Sequence, residues 1–261
     1  MKHLPNLLTL ANLFCGCIAI VFILNSQPFL ANFDNGEQYW VYGTQQAYLG
    51  SLFIGLAAIF DMLDGMAARA LKIFSPIGKD LDSLADLVTF GVAPAMILFK
   101  MLWAAYMTGQ EALDTPMLVM APAFLLPCFS ALRLARFNIS SDKQTRSFIG
   151  MPVPAVGLFV ASLPLILWYN IHSLRKLEGV FQNKWAIYLI IGVLCWLMVS
   201  GVRFFKLFPA RWKPAYCWPQ LLIAIATLIA IPFLKFAAIP FAFVLYVILS
   251  MAYKEPAVET L

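Results

Sequence analysis

Long apolar runs, cut at intervals by short clusters of charged and polar residues, set the pattern of this chain. Segments near 6–25, 46–68, 82–107, 116–136, 151–171, 185–203, 216–234 and 236–253 each hold about the 17–25 apolar residues that a helix needs to cross roughly 30 Å of hydrocarbon. The pattern predicts an all-α polytopic membrane protein, a bundle of about eight transmembrane helices. Only Lys235 separates the last two segments, so a re-entrant hairpin is the alternative there. Met1-Lys2-His3 followed by an apolar run mimics a signal peptide, but no small-residue cleavage site follows, and a retained first helix is expected.

Composition agrees with this pattern. The 261 residues are 62% hydrophobic and 12% charged, with a mean hydropathy of +0.83, which excludes an ordinary soluble domain. The net charge of +5 is gathered in short loops, where it reads as topogenic charge rather than a nucleic-acid surface. Segment 26–45 carries Asp34 and Glu37 without Lys or Arg, and 108–115 carries Glu111 and Asp114. The alternate loops hold Arg69, Lys72 and Lys79, then Arg133, Arg136, Lys143 and Arg146, then Arg203, Lys206, Arg211 and Lys213. By the positive-inside rule both termini are cytoplasmic in a multi-pass protein of the cell membrane. The loop with Arg175, Lys176 and Lys184 departs from the alternation. Cys15, Cys17, Cys128, Cys195 and Cys217 lack the paired spacing of a zinc site or disulfide framework and read as small core residues.

Against this background the acids at 61–86 stand out. Asp61, Asp64, Asp82 and Asp86 lie in or against apolar segments, where each carboxylate costs roughly 2.5–3.5 kcal/mol at the bilayer centre. Asp61 and Asp64 are i,i+3 and Asp82 and Asp86 are i,i+4, so each pair projects from one side of a helix. Asp80 points elsewhere and is left out of the site. Ser75-Pro76 stops the second helix and Gly78 permits a tight re-entry. If the second helix enters at Gln46 from outside, Asp61 lies about 22 Å further in, and the two pairs face each other across a hairpin near the cytoplasmic interface. Hard oxygen ligands converging there suit Mg²⁺, Mn²⁺ or Ca²⁺, and four carboxylates point to two ions. Arg69 adds a cation fit for a phosphate. The bland alternative, acid–base pairs tying helices together, has only Arg69, Lys72 and Lys79 to draw on.

The pattern Asp-x-x-Asp-Gly-x-x-Ala-Arg, eight residues, Gly-x-x-x-Asp-x-x-x-Asp, filled by Asp61, Asp64, Gly65, Ala68, Arg69, Gly78, Asp82 and Asp86, resembles the signature of the CDP-alcohol phosphatidyltransferase family. Flanking segments are similar to its phosphatidylserine synthase branch: Pro5-Asn6-x-x-Thr9-x-x-Asn12, Asp82-Ser83-Leu84-Ala85-Asp86, Phe90-Gly91-Val92-Ala93-Pro94, Leu132 to Asn138, and Gly150 to Pro154. The resemblance implies that Asp61, Asp64, Asp82 and Asp86 bind two divalent cations, Mg²⁺ or Mn²⁺, holding the pyrophosphate of CDP-diacylglycerol. It implies that Asp86 is the base toward the acceptor hydroxyl, and that Asn6, Thr9, Gly65, Ala68, Arg69 and Ser75 line the cytidine and phosphate site. It further implies a catalytic core over 1–175, C-terminal helices over 176–261 in the same membrane domain, and a homodimer among membrane lipids, with no nucleic-acid partner.

Arg133 and Arg136, with Asn138, read as a site for the carboxylate of L-serine or a lipid phosphate, or else as ordinary cytoplasmic anchors. The expected activity is transfer of the phosphatidyl group of CDP-diacylglycerol to L-serine, with glycerol 3-phosphate or inositol as competing acceptors. A divalent-cation transporter is the reading from another class; it predicts acids repeated in an inverted second half, whereas residues 130–261 hold only Asp142, Glu178, Glu255 and Glu259.

Overall fold

The structure, a computed structural model, describes residues 3–25, 29–32, 38–41, 44–71, 76–107, 114–140, 147–170, 183–205 and 214–252. Helix α1 (Leu4–Leu24) is followed by a two-stranded antiparallel ribbon, β1 (Phe29–Asn32) and β2 (Gln38–Val41), with Phe29 opposite Val41. Helix α2 (Thr44–Leu71) leads to α3 (Pro76–Asp86). Pro76 opens α3, where a missing N–H leaves no intrahelical bond unmade. From Asp86 the chain runs through a π-helical segment, Leu87–Val92, into α4 (Ala93–Met107).

A 3₁₀ segment, Met117–Phe124, with Pro122 inside it, enters α5 (Leu125–Ser140). Strand β3 (Ser147–Ile149) precedes α6 (Val153–Asn170). Helix α7 (Lys184–Val199) starts at Asn183, whose side chain accepts the Trp185 N–H at 3.0 Å. Strand β4 (Arg203–Phe205) pairs antiparallel with β3, placing Arg203 opposite Ile149. Helices α8 (Pro214–Leu234) and α9 (Ala238–Ala252) complete the described chain.

Among the described residues, five stretches are long and apolar enough to cross a membrane: Leu4–Leu24, Gln46–Leu71, Ile77–Met107, Met117–Ile139 and Trp218–Ala252, beside the shorter Val153–Tyr169 and Lys184–Val199. The protein is an all-α, multi-pass membrane protein. The 35-residue stretch Trp218–Ala252 consists of two arms, because Lys235 takes a φ of +49° and a 3₁₀ turn, Lys235–Ala237, sends the chain back. Helices α8 and α9 pack on each other, and the Lys235 ammonium lies 4.1 Å from the ring centre of Tyr169 near the end of α6. That hairpin fits both the eight-segment reading and its re-entrant alternative. The third segment begins earlier than expected, at Pro76 rather than residue 82, and at 31 residues it measures about 46 Å, longer than the hydrocarbon it crosses.

The Ile77–Met107 stretch is central, with 56% of its most apolar window buried against 11% for Trp218–Ala252 at the periphery. Phe90, Leu98, Leu102, Leu126, Met151 and Leu163 form much of the buried core around it. Two glycines let neighbours close on the π-helical segment. A Cβ at Gly16 would collide with Thr89, and one at Gly157 would lie 2.8 Å from the Phe90 Cβ and 2.9 Å from its Cα. Outward-facing Leu7, Phe14, Leu52, Leu228 and Phe233 are exposed, as lipid-facing side chains are. Among the described cysteines, Cys15 and Cys195 are buried as core residues, whereas Cys17 and Cys128 lie on outward helix faces and are exposed, which corrects the core placement expected of them.

Candidate active site

Helices α2 and α3 both pack on α1, and one carboxylate oxygen from each of Asp61 and Asp64 on α2 and Asp82 on α3 lies within 4.8 Å of the others. Three of the four acids singled out in the sequence thus share one cluster, which does not include Asp86. Asp86, at the end of α3, is buried and comes within hydrogen-bonding reach of Asp61. Asp80 is exposed.

Helix α1 supplies the wall behind them. The Thr9 hydroxyl donates to Asp64 Oδ2 at 2.6 Å, with the Pro5 carbonyl at 3.0 Å as its other neighbour. One turn on, Asn12 Nδ2 donates to Asp86 Oδ1 at 3.4 Å, and the Thr89 hydroxyl donates to the Asn12 carbonyl at 3.3 Å. Gly16 keeps α1 close enough for this contact.

Unit charges separated by 4.8 Å repel by about 3 kcal/mol per pair at an effective dielectric of roughly 20. Three such pairs demand a compensating positive charge. Asp82 Oδ1 is buried without a hydrogen-bond partner, a lone pair set aside from the protein's own donors. Hard carboxylate oxygens, close-set and incompletely bonded, fit a divalent cation of the Mg²⁺ or Mn²⁺ kind.

Other candidate residues surround this centre at varying distance. Gly65 lies beneath the Arg69 guanidinium, whose nitrogens would be 3.6 and 3.9 Å from a Cβ there. Arg69 is exposed, and Ala68 and Asn6 are half-buried. Ser75 lies outside the described residues. Arg133 is 7% exposed, packs 5.4 Å from the Phe137 ring centre, and is within electrostatic reach of Asp86. Arg136 is exposed, so the two arginines occupy different environments despite their i,i+3 spacing. Asn138 turns toward α3: its Nδ2 donates to Ser83 Oγ at 2.8 Å, Ser83 donates to the Lys79 carbonyl at 3.2 Å, and Lys79 Nζ donates to the Asn138 carbonyl at 2.9 Å. This closed ring fixes α3 against the end of α5.

The family model described as CDP-alcohol phosphatidyltransferase matches residues 2–199. The chain belongs to the CDP-alcohol phosphatidyltransferase family. Among its relatives is the CDP-diacylglycerol–serine O-phosphatidyltransferase of Bacillus subtilis strain 168, 32% identical over 206 residues that cover 78% of this chain and 90% of the relative. The enzyme of the same name from Helicobacter pylori strain 26695 is 32% identical over 211 residues, covering 80% of this chain and 74% of the relative. That from Methanocaldococcus jannaschii is 36% identical over 166 residues, covering 59% and 75%.

The part of the chain matched to the CDP-alcohol phosphatidyltransferase model holds α1 to α7, with all four acids and both arginines. The site also uses residues that sequence reasoning left out of its candidate set. Asn12 could have been found, because it continues the Asn6, Thr9 spacing by one turn. Ser83, between two acids, and Lys79, treated as loop charge, gave no local sign of the ring with Asn138. Thr89 was hidden by the π-helical segment, which no apolar periodicity announces.

Proposed function

We propose that this protein transfers the phosphatidyl group of CDP-diacylglycerol to the hydroxyl of L-serine, giving phosphatidylserine and CMP. The observation that carries this reading is the convergence of Asp61, Asp64 and Asp82 beside buried Asp86, in a member of a family whose similar members are named for that reaction. Asp61, Asp64, Asp82 and Asp86 would hold two divalent cations. Such ions supply charge neutralisation on the pyrophosphate and on the departing CMP.

The chain's own groups do the rest. Thr9 and Asn12 orient Asp64 and Asp86 through the hydrogen bonds described above. Asp86 takes the proton of the serine hydroxyl as its oxygen bonds to the lipid-linked phosphorus, and the bond from that phosphorus to the CMP oxygen breaks. Arg69, Gly65 and Ala68, with Asn6 and Thr9, would line the cytidine and phosphate site, and the family resemblance adds Ser75 to that set. Arg133 meets the serine carboxylate with its planar fork of donors, Arg136 serves the lipid phosphate at the rim, and Asn138 acts through its hold on α3.

Loop charge supports a cytoplasmic site with both termini on that side. The catalytic core is residues 1–175, with 176–261 completing the same membrane domain, and the family resemblance carries a homodimer with it. A cation-transporting role is not favoured, since the acids converge at one end of the helices instead of spanning the apolar depth.

The deciding experiment supplies purified protein and CDP-diacylglycerol with labelled serine, glycerol 3-phosphate or inositol, in Mg²⁺ or Mn²⁺. Labelled lipid and stoichiometric CMP should form with serine. Label entering lipid only from glycerol 3-phosphate or inositol would overturn the assignment of acceptor.

A further inference from the structure

Helix α3 is 11 residues long and carries two of the four acids. On one side it packs on α1, where Asn12 reaches Asp86 at 3.4 Å. The end of α5 holds it by shorter bonds, Asn138 Nδ2 to Ser83 Oγ at 2.8 Å and Lys79 Nζ to the Asn138 carbonyl at 2.9 Å. Helix α5 ends at Ser140, so that carbonyl lies in the last turn, where the helix itself offers no N–H, and the lysine ammonium takes the open place. With Ser83 donating to the Lys79 carbonyl at 3.2 Å, the bonds run in one sense around the ring. Each of the three residues both donates and accepts.

The ring grips a particular edge of α3. At about 100° per residue, Asp82, Asp86, Lys79 and Ser83 fall in that order within one arc of about 100°, while Ile77 and Leu84 are exposed on the opposite side. Ser83 therefore borders the face that presents the carboxylates. A carboxylate about 6 Å from the helix axis moves about 2 Å when the helix rolls by about 20°, as far as a whole Mg–oxygen bond of about 2.1 Å. Asp82 Oδ1 is buried with no hydrogen-bond partner, so no bond of its own holds that oxygen in place.

We propose that Ser83 and Asn138 are positioning residues of the cation site: through their ring with Lys79 they set the roll of α3, and with it the reach of Asp82 toward Asp61 and Asp64. Asn138 then tunes the affinity for a divalent cation from another helix, through Ser83. This rests on the divalent-cation reading of the acids given above.

The test measures binding of Mn²⁺ to the full-length protein in lipid–detergent micelles without substrate, from the electron paramagnetic resonance signal of the free ion. Asn138→Ala and Ser83→Ala should each raise the Kd of the tightest Mn²⁺ about 3- to 10-fold, the weight of one hydrogen bond, and the double variant little more than Ser83→Ala alone. Ser83→Thr keeps the hydroxyl and should stay within about two-fold of wild type. At saturating Mn²⁺, CMP release by Asn138→Ala should return to within about two-fold of wild type, the behaviour of a residue that places ligands without meeting substrate. Tyr188→Phe gauges plain destabilisation: it deletes a hydroxyl that donates to the Val119 carbonyl at 2.6 Å from the first turns of α7, and it should lower the unfolding midpoint with Mn²⁺ affinity unchanged.

Wild-type Mn²⁺ affinity in Asn138→Ala and Ser83→Ala, with only the unfolding midpoint lowered, would make the ring a structural tie and overturn the proposal. So would a Ser83→Thr protein as weak in Mn²⁺ binding as Ser83→Ala, or an equal loss in Tyr188→Phe. A wild-type protein that binds no Mn²⁺ would overturn the cation reading itself and the proposal with it, an outcome told apart from the others by the first titration.

Discussion

Thr9→Val probes how far α1 contributes to the acid cluster. The substitution keeps the branched shape and removes the hydroxyl that donates to Asp64 Oδ2 at 2.6 Å. Thr9 is 4% and Asp64 6% exposed, so water has little room to replace the lost donor. A hydrogen bond to a charged acceptor contributes roughly 1.5–3 kcal/mol, and at about 1.4 kcal/mol per decade this corresponds to a loss of about 10- to 100-fold. The loss should appear as a higher half-saturating concentration of Mn²⁺ or Mg²⁺ in the CMP-release assay. Thr9→Ser retains the donor and should stay within about three-fold of wild type. Both variants should bind detergent micelles and unfold cooperatively near the wild-type temperature. A Thr9→Val protein with wild-type cation dependence would refute the argument that this hydroxyl orients Asp64. So would a Thr9→Ser protein as impaired as the valine variant.

Other consequences can be checked with the same preparation. Asp82→Asn should lower CMP release by about 100-fold or more; chelation with EDTA should abolish the wild-type reaction, and added Mn²⁺ or Mg²⁺ should restore it. Gly157→Ala forces a Cβ to within 2.8 Å of Phe90 and should destabilise the bundle by about 1–3 kcal/mol, seen as a lower unfolding midpoint. Gly192→Ala, with nothing within 4 Å of the new Cβ, should be neutral or gain up to about 1 kcal/mol from helix propensity. Asn138→Ala and Ser83→Ala should each cost about 0.5–1.5 kcal/mol, and the double variant little more than Ser83→Ala alone, because both lose the Asn138–Ser83 bond and only Ser83→Ala also loses the donation to the Lys79 carbonyl.

The membrane segments were legible because hydrocarbon imposes a length and an apolar content that the sequence displays directly. The acid pairs were legible too, since charge in that setting has few innocent explanations and the helical spacings fix which residues share a side. What escaped was local departure from α geometry. The π-helical segment Leu87–Val92 and the 3₁₀ segment Met117–Phe124 are as apolar as any ordinary helix, so no periodicity marks them. The ribbon of β1 and β2 lay in a stretch read only for its charge. Arg133 and Arg136 look equivalent in sequence, yet tertiary packing buries one and exposes the other. Tyr246 is 41 residues beyond Phe205 in the chain, and only the path of the last hairpin brings its hydroxyl to the Phe205 carbonyl.

The π-helical segment directly after Asp86 has a mechanical consequence. Such a turn takes up one residue more than an α turn, which offsets everything downstream by about 100° around the axis. The acids and the stripe headed by Phe90 and Leu98 can therefore look in directions that one uninterrupted α-helix would not allow. Excising a single residue from Leu87–Val92 would let the rod relax into continuous α form, hydrophobic and membrane-inserted as before. Its two halves would then be out of phase, and a protein that still assembled would present its carboxylates to the wrong neighbours.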